Sequence, residues 1–195
     1  MHDQGDPVIV RYRATRRHRI IGITEIGESK TPGMPEMSTN DDSLKEQKFD
    51  SLLDDALAAR NRGDYRTAIE ICGAALAVLE EGDSFLLTIV HGEMGYIHWK
   101  LNDPATAQYH YSISVSNTPT SELASLGLYH SLVAQGMWVG GLEEVVRFLE
   151  NKYSAEYDGL LSHEFVESLP GNARSLALKA RNLIKRYGRT GRNGG

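Results

Sequence analysis

A short phrase that occurs twice, each time between two apolar helical patterns, limits what this chain can fold into. Gly63-Asp64-Tyr65 is followed by Ala68, and Asn102-Asp103-Pro104 by Ala107. A weaker third copy, Gly136-Met137-Trp138 with Gly141 after it, gives spacings of 39 and then 34 residues. Such periods belong to helical repeats, in which each unit leaves an apolar face that only its neighbour covers.

The segments around the phrase read as helix pairs. From Ser43, where Ser43 or Asp42 can cap and Glu46 can complete a capping box, Leu52, Leu53, Ala56 and Leu57 recur at three- and four-residue steps. Asn61-Arg62-Gly63-Asp64 ends that helix, and a second is predicted from Tyr65 to about Glu80 through Ala68, Cys72, Ala75 and Leu79. Ala56 facing Ala68 and Ala75 lets the two approach closely. In the next pair Asp83-Ser84 caps a helix carrying Leu87, Val90, Met94 and Ile97, with Gly95 at the place of Ala56. Pro104 then stands in the first turn of a helix through Ala107, Tyr111 and Val115 that Pro119 stops.

A third pair is predicted over 121–135 and 139–152, with Gly140 and Gly141 costing about 1 kcal/mol each if they lie within the helix. Two more helices follow, over 154–168 and 172–188. The last has Leu176, Leu178, Ala180, Leu183 and Ile184 on one side, as a helix closing the end of a stack requires. The expected organisation is a basic, flexible arm and linker over 1–42, a helical repeat domain over 43–152, capping helices over 153–187 and a disordered tail over 188–195. Within the arm, VIVRYRA and HRIIGITEI are β-prone, but a hairpin with nothing to pack on is marginal, so disorder or an induced strand is expected.

Composition narrows the class. A single cysteine, Cys72, excludes an intramolecular disulfide and a four-cysteine zinc site. No run of about 18 apolar residues occurs, so a soluble, cytoplasmic protein with no membrane partner is expected. The net charge of −5 conceals basic ends on an acidic body: Arg11, Arg13, Arg16, Arg17 and Arg19 lie in the arm, and residues 171–195 hold seven basic residues and no acid. That asymmetry suits an interaction tail, docking of the tail on the body, or solubility alone.

Ala56, Gly63-Asp64-Tyr65, Ala68, Cys72 and Ala75-Leu76, then Gly95, Asn102-Asp103, Ala107, Tyr111 and Pro119, resemble the tetratricopeptide repeat over about residues 49–152. The longer first period, with Glu81-Gly82-Asp83 between units, is similar to the extended variety of that repeat. In the third unit Tyr129 and Gly141 replace the expected small residue and alanine. The resemblance implies an all-α, right-handed solenoid of about three helical hairpins with a concave groove for an extended peptide or a partner helix. Its register places Leu53, Leu57, Arg60 and Asn61, then Ile89, Tyr96, Trp99 and Lys100, then Leu126, His130 and Ala134 along that groove. One subset of the family grips a carboxylate tail with lysines, asparagines and an arginine; here Leu53, Leu57, Glu93, Leu123 and Gly127 stand at those places, which argues against that ligand. Apart from the resemblance, Tyr96 and Trp99 at helical spacing are equally core residues, and Arg60 and Lys100 suit solvated helix ends.

Residues for catalysis are not assembled in the sequence. His163-Glu164 begins like a zinc-protease helix, but Glu167 stands where a second histidine is needed. His91 and His98 are two helical turns apart, about 10 Å by rise, too far to share one ion. Tyr96 and Lys100 have the tyrosine-lysine spacing of short-chain dehydrogenases, but no glycine-rich dinucleotide loop precedes them. The expectation is a non-enzymatic adaptor or chaperone-like scaffold, without cofactor or metal, that binds another protein through Leu57, Arg60, Asn61, Tyr96, Trp99, Lys100 and His130. The alternative is a nucleic-acid-associated protein using the basic ends, and sharing of repeat ends in a homodimer is a third reading.

Overall fold

The computed structural model of the chain describes the backbone of residues 39–80 and 82–190 and the side chains of 43–80 and 82–187. All the regular structure among these residues is helical: α1 (Thr39–Asn61), α2 (Tyr65–Leu76), α3 (Ser84–Lys100), α4 (Pro104–Asn117), α5 (Glu122–Ala134), α6 (Trp138–Asn151), α7 (Ala155–Leu160), α8 (His163–Ser168) and α9 (Gly171–Thr190). The chain divides into two compact units, residues 1–51 and 52–195. Of the first, only the opening of α1 is described, and the readings of the basic arm over 1–38 and of residues 191–195 lie outside the described residues. No helix among the described residues is long and apolar enough to cross a membrane.

The repeated phrase is a stop signal fused to a start signal. Gly63, Asn102 and Gly136 all have positive φ, 79°, 59° and 76°. Each follows a helix by the same hydrogen-bond pair. Gly63 N–H donates to Arg60 O (2.9 Å) and Asp64 N–H to Ala59 O (3.0 Å). Asn102 and Asp103 do so to Trp99 and His98 (3.0 and 2.9 Å), and Gly136 and Met137 to Val133 and Leu132 (2.9 Å each). This is the Schellman closure, which satisfies the last carbonyls of a helix and needs a left-handed residue that glycine or asparagine supplies. The aspartate then caps the next helix: Asp64 Oδ1 accepts from Thr67 N–H (3.3 Å) and Asp103 Oδ1 from Thr106 N–H (3.1 Å). Met137 occupies the same place before α6 and makes no side-chain cap.

After the cap comes a small residue that is buried in every copy: Ala68, Ala107 and Gly141. A Cβ on Gly141 would lie 3.1 Å from Val133 Cγ2 and 3.3 Å from Tyr129. Within the second unit α2 packs on α3, α3 on α4 and α5, α4 on α5, α5 on α6, and α9 on α6 and α8. Tyr111 of α4 is the wedge between α3 and α5. A Cβ on Gly95 would stand 3.0 Å from its ring, and one on Gly127 would stand 2.3 Å from its Cζ.

Beyond the third pair, one apolar core joins Tyr129 of α5 with Leu142, Val145, Phe148 and Leu149 of α6, Tyr157, Leu161 and Val166, and Ala173, Ala177, Ala180 and Ile184 of α9. A buried polar set ties α7 into it. Arg147 donates from Nε and Nη2 to both oxygens of Glu144 (2.6 Å each), and Ser125 Oγ donates to Glu144 Oε1 (2.5 Å). The Ser125 proton being so placed, Tyr157 O–H is the donor to Ser125 Oγ (2.6 Å). Ser125 and Tyr157 are fully buried, so this serine is a structural tie and not an accessible nucleophile.

Four elements differ from the sequence expectation. α1 starts at Thr39, inside the predicted linker. α2 ends at Leu76, not near Glu80, and the chain leaves it in tight turns with Val78 N–H to Ala75 O and Leu79 N–H to Leu76 O, 3.2 Å each. The single helix predicted over 154–168 is two, broken where Leu161 turns inward and Ser162 caps α8 by accepting from Phe165 N–H (3.2 Å). α9 runs to Thr190, and its buried line is Ala173, Ala177, Ala180 and Ile184 while Leu178 is exposed. Small side chains at that line let α9 approach the core closely, which a leucine ridge would prevent.

Two measurements check this account in chemical denaturation. Met137→Asp supplies the cap that α6 lacks and should stabilise by about 1 kcal/mol, whereas Asp103→Ala should cost about that amount. Gly127→Ala should cost about 1–3 kcal/mol by overpacking against Tyr111, while Gly73→Ala, on an exposed helical turn with nothing within 4 Å, should gain up to about 1 kcal/mol.

Candidate functional site

α3 is the element around which the candidate residues gather. Its Glu93, Tyr96 and Lys100 recur at three- and four-residue steps on one face, and Arg60 at the end of α1 meets them there. Arg60 Nη1 donates to Glu93 Oε2 at 2.6 Å, and both side chains are nearly covered, 11% and 4% exposed. Arg60 also donates from Nε and Nη2 to Asn61 Oδ1 (3.1 and 3.0 Å). Its guanidinium carbon lies 5.2 Å from the Tyr96 ring centre, and Lys100 Nζ lies 5.4 Å from the same ring. Two cations therefore use the π-face density of Tyr96.

The sequence-predicted groove residues separate into three groups. Leu57, Leu53 and Ile89 are core residues, 8%, 3% and 2% exposed, so they lie beneath the surface and do not line it. Arg60 and Tyr96 are partly covered and engaged with one another. Asn61, Trp99, Lys100 and His130 are exposed, as is Ala134, while Leu126 is half-buried against the core. Trp99 and His130 meet across α3 and α5 at 6.4 Å between ring centres, and Tyr129 sets its ring edge-on against His130 at 5.1 Å. Partial burial holds the His130 pKa below the ordinary histidine value, which favours the neutral ring beside the indole.

Glu93 is the functional neighbour that sequence reasoning missed. The signal was present: it is the one acid in the apolar run of α3, and a lone buried carboxylate requires a cationic partner. Its charge reaches Cys72 of α2 as well. Burial pushes the Cys72 thiol up to about 12, Glu93 adds to the rise and Arg60 offsets part of it. Cys72 is a packed thiol without nucleophilic character at neutral pH.

On the opposite side of α3, His91 and His98 receive His110 of α4 between them. Ring centres are 5.3 Å apart for His91 and His110 and 5.4 Å for His98 and His110. The Nδ1 atoms of His91 and His110 are 3.0 Å apart. With ring centres so much farther apart than the nitrogens, these two imidazoles meet nitrogen to nitrogen. Lone pairs aimed at one another fit a shared proton; two nitrogens of one tetrahedral ion would converge at an angle instead. Among the described residues no group of three or more His, Cys, Asp or Glu is placed to hold a metal ion, and His163 and Glu164 are exposed at the start of α8.

The basic C-terminal helix is partly neutralised by the body. Lys179 Nζ lies 2.7 Å from Glu150 Oε1, and Arg174 lies 3.6 Å from Glu167. Leu178, Leu183 and Arg186 line an open groove of about 510 Å³ beside that Lys179–Glu150 pair.

Removing one member of the covered Arg60–Glu93 pair leaves an uncompensated charge. Glu93→Ala should cost about 3–5 kcal/mol in urea unfolding, and Arg60→Leu with Glu93→Leu should restore much of that loss.

Compared with known proteins, the chain matches no family model, and no curated relative matches it.

Proposed function

We propose that this protein is a non-enzymatic interaction module of the tetratricopeptide kind, which holds a peptide or helix of another protein against α3 and α5. The observation that carries this reading is Trp99, an indole left 39% exposed near the end of α3, next to His130 of the following pair. Aromatic anchors of this sort dominate the energy of protein interfaces. The threefold Schellman-and-start turn, followed each time by a buried small residue, supports the solenoid arrangement of the helix pairs.

Recognition then falls on Asn61, Trp99, Lys100 and His130, with Arg60 and Tyr96 as the rigid base beneath them. Tyr96 serves as a platform for the chain's own cations, so it positions Lys100 and is not a stacking surface for the partner. Arg60 likewise spends its charge on Glu93, which leaves Lys100 as the cation of this patch that extends to solvent. The nucleic-acid reading of the basic end receives less support, because Lys179 and Arg174 already face Glu150 and Glu167.

The test is direct. A binding partner isolated on the full chain should be retitrated against Trp99→Ala combined with His130→Ala, both exposed enough to replace without unfolding. Affinity should fall by about 10- to 100-fold, the value of one or two interface anchors, with the helical circular dichroism preserved. Unchanged affinity in the folded double variant rejects this surface. A log–log salt slope steeper than about −3 with a short RNA or duplex would favour the basic helix instead.

A further inference from the structure

We propose that His91, His98 and His110 form a proton-operated latch between α3 and α4, closed with one Nδ1 proton in the His91–His110 pair and opened by uptake of a second.

The geometry defines the two states. His91 and His98 stand two turns apart on α3, a rise of about 10 Å, and the His110 ring enters from α4 with its centre 5.3 and 5.4 Å from theirs. At 3.0 Å the facing Nδ1 atoms of His91 and His110 make a hydrogen bond when one of them carries a proton and the other does not. A proton taken up by the donor ring at its Nε2 leaves that bond in place; once the other ring is protonated at Nδ1 as well, two N–H donors face each other with no acceptor between them, on two rings that are then both cationic. Separation of the helices then relieves His110, which is 7% exposed and enclosed by α3 and its own helix, whereas His91 is half-buried.

Among the described residues, the neighbours on each packed element place no counter-charge against the pair. From α3, His98 adds a third imidazole whose influence on His110 opposes its protonation. Asp103, at the start of α4, reaches His98 at 3.5 Å and not the pair. Tyr109 sets its ring edge-on to His110 at 5.1 Å. On the sides of α3 turned elsewhere, α2 presents Cys72 to Glu93 and Arg60, and α5 presents His130 to Trp99. Burial lowers the His91 pKa, and burial with the His91 and His98 charges lowers that of His110 to about 4.

The sign follows from those shifts. A histidine depressed in the folded protein takes up its proton more readily in the unfolded chain, so stability is whole above pH 6.5 and is lost as pH falls towards 4. Asp103 is held below the ordinary carboxylate value, first by its hydrogen bonds to Thr106, so its own titration lies under that window. The latch does not depend on the partner-binding reading, since no residue of the pair belongs to that surface.

The experiment uses amide hydrogen exchange on the full chain at pH 7 and pH 4.5, compared as protection factors, with wild type and His110→Asn. Asparagine places a donor and an acceptor near the position of Nδ1 but cannot be protonated. In wild type, protection of α3 and α4 should fall about tenfold more than that of α6 and α9 on acidification, and in His110→Asn this difference should vanish. Parallel loss in all four helices of the wild type, or an unchanged difference in the variant, overturns the latch. Should His110→Asn fail to fold at pH 7, imidazole NMR of the wild type decides. His91 and His110 titrating in coupled steps below pH 6.5, with α3 and α4 amide shifts following the second step, supports the latch. Independent titration near 6.5 with those amides unmoved overturns it.

Discussion

The thickness of one aromatic ring governs how α3, α4 and α5 can approach. Tyr111 is 4% exposed and lies between Gly95 and Gly127, neither of which could carry a methyl group without entering the ring's contact distance. Close-packed interiors tolerate such a wedge only if the facing residues are as small as possible. Everything that α3 offers elsewhere inherits its position from that contact: the Glu93–Tyr96–Lys100 face towards Arg60, the Trp99 edge towards His130, and the His91–His98 slot that takes His110. Three different surfaces of one helix are thereby fixed by its fourth, the side that carries Gly95.

How much of this the sequence made legible depends on the range of the interaction. The turns are local events within six residues, and Gly63-Asp64 with Asn102-Asp103 announced both the end of one helix and the start of the next. Pro104 and Pro119 marked α4 for the same reason. The packed side of α9 is legible in part: Ala180 and Ile184 are buried and Leu176 and Leu183 pack half-buried against the core, while Leu178 is exposed. Yet it is the line of Ala173, Ala177 and Ala180, with Ile184, that lets the backbone come near the core. The break at Leu161-Ser162 was hidden since both flanking segments are good helices, and only the inward turn of Leu161 separates them.

The candidate surface was legible in its members and not in their roles. Trp99, Lys100, Asn61 and His130 are exposed, but Leu57 is not, and Tyr96 is engaged by Arg60 and Lys100. Pairings across elements are what periodicity cannot supply: Arg60 with Glu93 is 33 residues apart and His91 with His110 is 19. Both involve a polar residue inside an apolar helix, and such a residue states that a partner exists without stating which.

Tyr111 stands sixteen residues after Gly95 and sixteen before Gly127. The contacts that lock these three helices are therefore closed by short stretches of chain, whose loop entropy is small compared with that of pairings between distant segments. Local topologies of this sort reach their transition state on the order of microseconds to milliseconds. Local closure of this kind is what a folding nucleus requires, and α3–α5 is the segment expected to supply it, with α6 to α9 condensing on the edge it offers.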